Sequence, residues 1–112
     1  MRLRVVVLAG LAAALAVAGT ALAAPKKVFG TVGPGFTIKF GPKKLKPGTY
    51  TFVINDKSSI HNWHLQGPGV NKDLTSVSGT GQKRVTVVLK KGTYKFFCVP
   101  HSSSLNGTFK VG

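Results

Sequence analysis

Acidic residues are almost missing from this chain. Asp56 and Asp73 are the only two among 112 residues, against 16 lysines and arginines, and the formal charge is +14. Two acids so far apart in sequence give no carboxylate to orient a cysteine–histidine nucleophile pair, so covalent catalysis of that kind is not expected and the chain does not read as an enzyme. A field this positive favours encounter with acidic proteins or anionic surfaces, or else marks a lysine surface that keeps the protein soluble. Aromatic residues do not interleave with the basic runs, which argues against nucleic acid as the partner.

Sulfur is equally scarce. Cys98 is the only cysteine, so no internal disulfide can staple the fold, and Met1 is the only methionine, so no thioether is on offer within the folded part. Long apolar runs are missing too, except at the start. There Arg2 and Arg4 precede an apolar stretch from Val5 to Val17 and the small residues Ala21-Leu22-Ala23. This is the pattern of a cleavable export signal over residues 1–24, with an uncleaved membrane anchor as the alternative; Gly10, Gly19 and Thr20 favour cleavage. Residues 25–112 then form one domain outside the cytoplasm, periplasmic or extracellular, expected to be monomeric and to lack a membrane span. Without Arg2 and Arg4 the remaining fourteen basic residues and two acids leave it at +12. A lone thiol in an oxidising compartment points to an intermolecular disulfide, a reactive thiol or a metal ligand.

What is present is two-residue alternation. Phe36, Ile38 and Phe40 share one parity, as do Tyr50, Phe52 and Ile54; Val85, Val87 and Leu89; Tyr94 and Phe96; and Phe109 and Val111. Turn residues such as Lys46-Pro47-Gly48 and Lys91-Gly92 separate the runs. With Val28 to Val32 and Ile60 to Leu65, this predicts an all-β Greek-key sandwich of about seven or eight antiparallel strands. Residues 66–82 lose the alternation and read as a long loop, pinned by Val70, Leu74 and Val77.

Parity also sorts the histidines. In the strand read over Ile60 to Leu65, His61 shares the apolar face of Trp63 and Leu65, while His64 lies on the opposite one. Cys98 continues the face of Tyr94 and Phe96, and Pro100 stiffens the turn that returns His101 towards its sulfur. His61, Cys98 and His101 are therefore the candidate metal ligands. A structural zinc site wants four firm ligands and only His64, on the wrong face, remains to be the fourth. One thiolate and two imidazoles suit copper in both oxidation states, so one copper ion is the expected cofactor.

The segments His61-Asn62, Tyr94-Lys95-Phe96-Phe97-Cys98-Val99-Pro100-His101 and Asn106-Gly107-Thr108-Phe109-Lys110-Val111 together resemble the cupredoxins, the small blue copper proteins of plastocyanin, pseudoazurin and azurin type. The resemblance spans most of residues 25–112. It implies a type 1 copper held by His61, Cys98 and His101, with Asn62 binding the first-histidine segment to the cysteine loop and tuning the sulfur. It implies single-electron transport, with His101 as the electron gate among Gly33-Pro34-Gly35, Pro68 and Leu105, and lysines around that patch steering an acidic redox partner. Leu105 stands at the axial position, where this family carries methionine, and cannot ligate. Either the centre is three-coordinate with a raised potential, or Asn106 or the Ile60 carbonyl gives a weak oxygen ligand, or copper has been lost and an interaction module remains. Copper delivery or buffering without redox turnover is the further alternative.

Overall fold

The computed structural model describes residues 24–112; the export signal expected over residues 1–24 lies, apart from Ala24, outside the described residues. Nine strands follow in order: β1 (Lys26–Val32), β2 (Ile38–Phe40), β3 (Lys44–Leu45), β4 (Gly48–Asp56), β5 (His64–Gly67), β6 (Val70–Asp73), β7 (Gly81–Leu89), β8 (Gly92–Phe97) and β9 (Asn106–Val111). They form two sheets, one in the order β2-β1-β4-β7 and the other β3-β9-β8-β5-β6. The all-β sandwich expected from the alternation is present, with mixed rather than purely antiparallel sheets. β1 runs parallel to β4 over its whole length, and β3 parallel to β9.

Alternation explains why these segments become strands. In β4 the residues Tyr50, Phe52 and Ile54 turn inward, and in β8 Tyr94 and Phe96 do the same. The two inner faces close on a core rich in aromatic rings. Phe40 stacks on Phe52 with centroids 5.3 Å apart, Trp63 stacks on Phe96 at 5.0 Å, and Tyr94 on Phe109 at 5.2 Å. Each large side chain buried here contributes about 1.5–3 kcal/mol relative to exposure. Among the described residues the core runs from Val28 to Val111, and both sheets that cover it lie within residues 25–112.

Two glycines admit the rings. A Cβ on Gly107, which lies opposite Phe96, would enter the Phe96 ring, and a Cβ on Gly67 would enter that of Tyr94. The Tyr94 hydroxyl donates to the Pro68 carbonyl at 2.7 Å and accepts from the Lys90 N–H at 2.9 Å, so the ring lies flat across the start of the β5–β6 turn.

Three local expectations are corrected. Residues 60–63 are not strand: the backbone there is held by loop bonds, Trp63 N–H donating to Thr75 Oγ1 at 2.9 Å and Leu74 N–H to the Trp63 carbonyl at 2.8 Å. The segment read as a structureless loop over 66–82 contains β6 and the β5–β6 hairpin; Leu74 is buried and Val70 packs on the core, whereas Val77 faces solvent. Phe36 is not part of β2, because Gly33-Pro34-Gly35 keeps the chain in a turn until Ile38.

The topology brings three loops of the site to one end of the sandwich. β5 pairs antiparallel with β8 in the register His64↔Phe97, so the residues before His64 run beside those after Phe97. β9 begins opposite Phe97 at Asn106, which brings Leu105 against Cys98. The ends of β1 and β4, Val32 and Asp56, are partners and deliver the Gly33–Phe36 turn to the same place.

Candidate metal centre

Cys98 follows the last residue of β8 and is fully buried, with an extended backbone that leads into a 3-10 turn over Val99–His101. Pro100 sits in this turn, and the His101 N–H closes it on the Cys98 carbonyl at 3.1 Å. The loop is tied down at its far end as well. The Leu105 N–H donates to the His101 carbonyl at 2.8 Å, and the Cys98 N–H donates to the Leu105 carbonyl at 3.0 Å. These bonds fold the eight residues between β8 and β9 back on themselves and set His101 beside the sulfur.

His61 arrives from the neighbouring loop and is fully buried, while His101 is partly exposed. The two Nδ1 atoms are 3.0 Å apart, and Cys98 Sγ lies 3.7 Å from His61 Nδ1 and 3.6 Å from His101 Nδ1. A triangle with these edges has its centre about 2.0 Å from each corner, the bond length of a first-row divalent metal to imidazole and slightly inside that to thiolate. Among the described residues this is the one cluster of three or more His, Cys or acidic side chains placed to hold a metal ion. The donor set and its spacing fit copper. His61 turns Nδ1 into the triangle, and its Nε2 is a buried atom that has no hydrogen-bond partner among the described residues.

Asn62 links the two ligand loops. Its Oδ1 accepts the Val99 N–H at 2.8 Å, and its Nδ2 donates to Asp73 Oδ1 at 2.8 Å. The same Asp73 oxygen is 2.6 Å from His64 Nδ1, while His64 Nε2 is 2.6 Å from Asn71 Oδ1. His64 therefore stands outside the triangle and belongs to a separate network that anchors Asn62. Asn62 is itself 1% exposed, so parity did not sort this segment: residues 61, 62 and 63 are all buried because the chain here is a packed loop.

Leu105 is buried, and its backbone joins the two halves of the cysteine loop. Asn106 is exposed and donates its amide N–H to the Ser102 carbonyl at 2.8 Å. Pro68 lies at the opposite end of β8 from Cys98, against Gly92, and is not part of the surroundings of His101. Phe36 is, although the alternation had assigned it to a strand. Its ring stands edge-on to His61, with centroids 4.8 Å apart, and to His101 at 5.1 Å, while remaining 63% exposed. The Gly33-Pro34-Gly35 turn was the signal that Phe36 begins no strand. Ile60 and Val99, the sequence neighbours of His61 and Cys98, are also large, apolar and exposed, and with Phe36 they give the site an apolar rim.

Comparison with known proteins agrees with this geometry. Among solved structures, the fold is similar to auracyanin A, a blue copper protein of Chloroflexus aurantiacus, with a TM-score of 0.56 and 19% identity over 80% of this chain and 100% of that one. Reduced rusticyanin gives 0.57 and 18% over 81% of this chain and 82% of that one. A rusticyanin variant with a methionine replaced by leucine gives 0.58 and 18% over 81% and 79%. Comparison with curated protein sequences finds no match. Residues 29–112 match the family of copper binding proteins of plastocyanin/azurin type. The chain belongs to this family, the cupredoxins.

Proposed function

We propose that the protein is an exported carrier of single electrons, with one type 1 copper held by His61, Cys98 and His101. The observation that carries this reading is the triangle of two imidazole nitrogens and one thiol sulfur, closed by loop hydrogen bonds in a buried setting. Copper, when bound, supplies a one-electron couple between Cu(I) and Cu(II).

The chain's own residues account for the rest. Cys98 and His61 are buried and held by the core, so neither has room to move when the charge at the centre changes. The bonds through Asn62 and Leu105 hold the Cys98–His101 loop in one conformation. His101, partly exposed, is the path by which an electron enters and leaves, and the apolar rim of Phe36, Ile60 and Val99 lets a partner approach it closely without stranding buried charge. Leu105, buried beside the Cys98 loop, would offer copper no donor, and an ion held by His61, Cys98 and His101 alone would favour the reduced state and a raised potential. The reading assigns no bond-making chemistry: Asp73 is engaged with Asn62 and His64, and Asp56 with the Ser58 N–H. An acidic redox partner that meets the His101 end and a monomeric working state complete the reading.

Voltammetry of the copper-loaded protein tests this function. A reversible one-electron couple with fast self-exchange is expected; an irreversible couple with rapid loss of Cu(I) to a chelator would identify a copper carrier instead.

A further inference from the structure

The charge of the domain is divided between its two ends. β1 opens with Lys26 and Lys27, and its first residue pairs with Tyr50 near the start of β4. Lys44 of β3 lies opposite Lys110 near the end of β9, whose N–H in turn binds the Lys43 carbonyl, and Lys46 precedes β4. Lys90 and Lys91 form the turn between β7 and β8. Eight of the thirteen lysines thus gather, all exposed, at the end remote from Cys98, about 20 Å away along the six residues of β8.

Both acids lie at the other end. Asp56 is opposite Gly81 and Asp73 opposite His64. Among the described residues the only contact of a basic side chain with an acid within ion-pair distance is that of His64 with Asp73, so none of the eight lysines is paired. The lysines expected around the metal centre are therefore mostly elsewhere, and the molecule has a strong positive pole behind it.

We propose that this lysine-covered end seats on an anionic, phosphate-bearing bilayer surface, leaving the His101 end turned to the aqueous side. The chemistry of the pole favours a lipid surface over a protein. Lysine is depleted from protein interfaces, which centre on aromatic and apolar anchors, and of the exposed large apolar side chains only Val88 lies near this end. No arginine is there to read carboxylates or bases in a bidentate manner, since Arg84 sits opposite Val53 in the half of β7 nearer the metal centre. Lysine instead offers a mobile point charge suited to headgroup phosphates, and several in one plane add their attraction. Lys26, Lys27, Lys44 and Lys46 also line a depression of about 360 Å³ floored by Tyr50, large enough to receive a headgroup.

The seating uses no metal ligand and is independent of the electron-carrier reading. The test is co-sedimentation of residues 25–112 with vesicles of phosphatidylcholine alone and with vesicles containing phosphatidylglycerol. Binding to the anionic vesicles only is expected, and its loss in high salt. The double variant Lys44→Gln with Lys46→Gln should lower the partition coefficient roughly tenfold to thirtyfold, while Lys57→Gln with Lys83→Gln, near the metal-centre end, should change it less than about threefold. Equal losses for the two pairs would reduce the effect to net charge and overturn the seating, as would failure to bind anionic vesicles. Tighter binding to polyglutamate than to those vesicles would also overturn it and assign the pole to an acidic protein. Cys98→Ser should bind as the unaltered protein does.

Discussion

Asn62 Oδ1 accepts the backbone N–H of Val99 at 2.8 Å, and this one bond fastens the loop that carries His61 to the loop that carries Cys98 and His101. The two loops come from different strands, and Asn62 is the side chain that crosses between them. Its own position is fixed by Asp73.

Replacing Asn62 by alanine should therefore act on the fold before any metal is considered. The Val99 N–H and one Asp73 oxygen each lose a partner, at about 1–3 kcal/mol in total. In urea the metal-free variant should unfold at a lower midpoint with an unchanged slope. An unchanged midpoint would mean that the loops are held together by packing alone.

Leu105 separates a structural from a chemical role. Leu105→Ala leaves a cavity and should destabilise the fold by about 2–5 kcal/mol, whereas Leu105→Met is close in volume and should cost less than about 1.5 kcal/mol. The methionine variant, copper-loaded, should show a lower reduction potential than the unaltered protein, because a thioether donor favours Cu(II). If the potential does not move, Leu105 is not at the axial position.

Phe36 is 63% exposed, so its removal should change stability by less than about 1 kcal/mol. Its ring nonetheless shields the edges of both imidazoles. Phe36→Ala should let a chelator strip copper faster while leaving the unfolding midpoint nearly unchanged. Equal stripping rates would remove Phe36 from the account of the site.

Gly67→Ala forces a methyl group into the Tyr94 ring, which is itself held by two hydrogen bonds and cannot slide away freely. Overpacking of this kind costs about 1–3 kcal/mol, and in a domain of this size each kcal/mol lowers the melting temperature by roughly 4–8 °C. A melting curve that does not shift would show that the ring gives way.

The fold was legible wherever one face of a strand is apolar. Tyr50, Phe52 and Ile54 announce β4 by alternation alone, and Val85, Val87 and Leu89 announce β7. It was less legible where strands are short and polar, as in β6, or where loops are buried. His61, Asn62 and Trp63 are all inside a loop where Thr75 and Leu74 satisfy the backbone of Trp63, a long-range arrangement with no local pattern in the sequence. The parallel pairing of β1 with β4 is likewise non-local. The meeting of His61, Cys98 and His101 was legible from donor chemistry and the Cys-x-x-His spacing, while Phe36 over the imidazoles and Asp73 behind Asn62 depend on tertiary approach. The polar division of charge was hidden for the same reason: lysines scattered along the chain converge only when the strands take their order.

The most direct measurement is a titration of Cu(II) into residues 25–112, followed in the visible region, for the unaltered protein and for Cys98→Ser. The account predicts one equivalent bound and an intense thiolate-to-copper band in the unaltered protein, and no such band in the variant, which keeps its fold. A colourless copper-loaded protein, or a variant that retains the band, would contradict the assignment of Cys98, and with it the metal centre proposed for this chain.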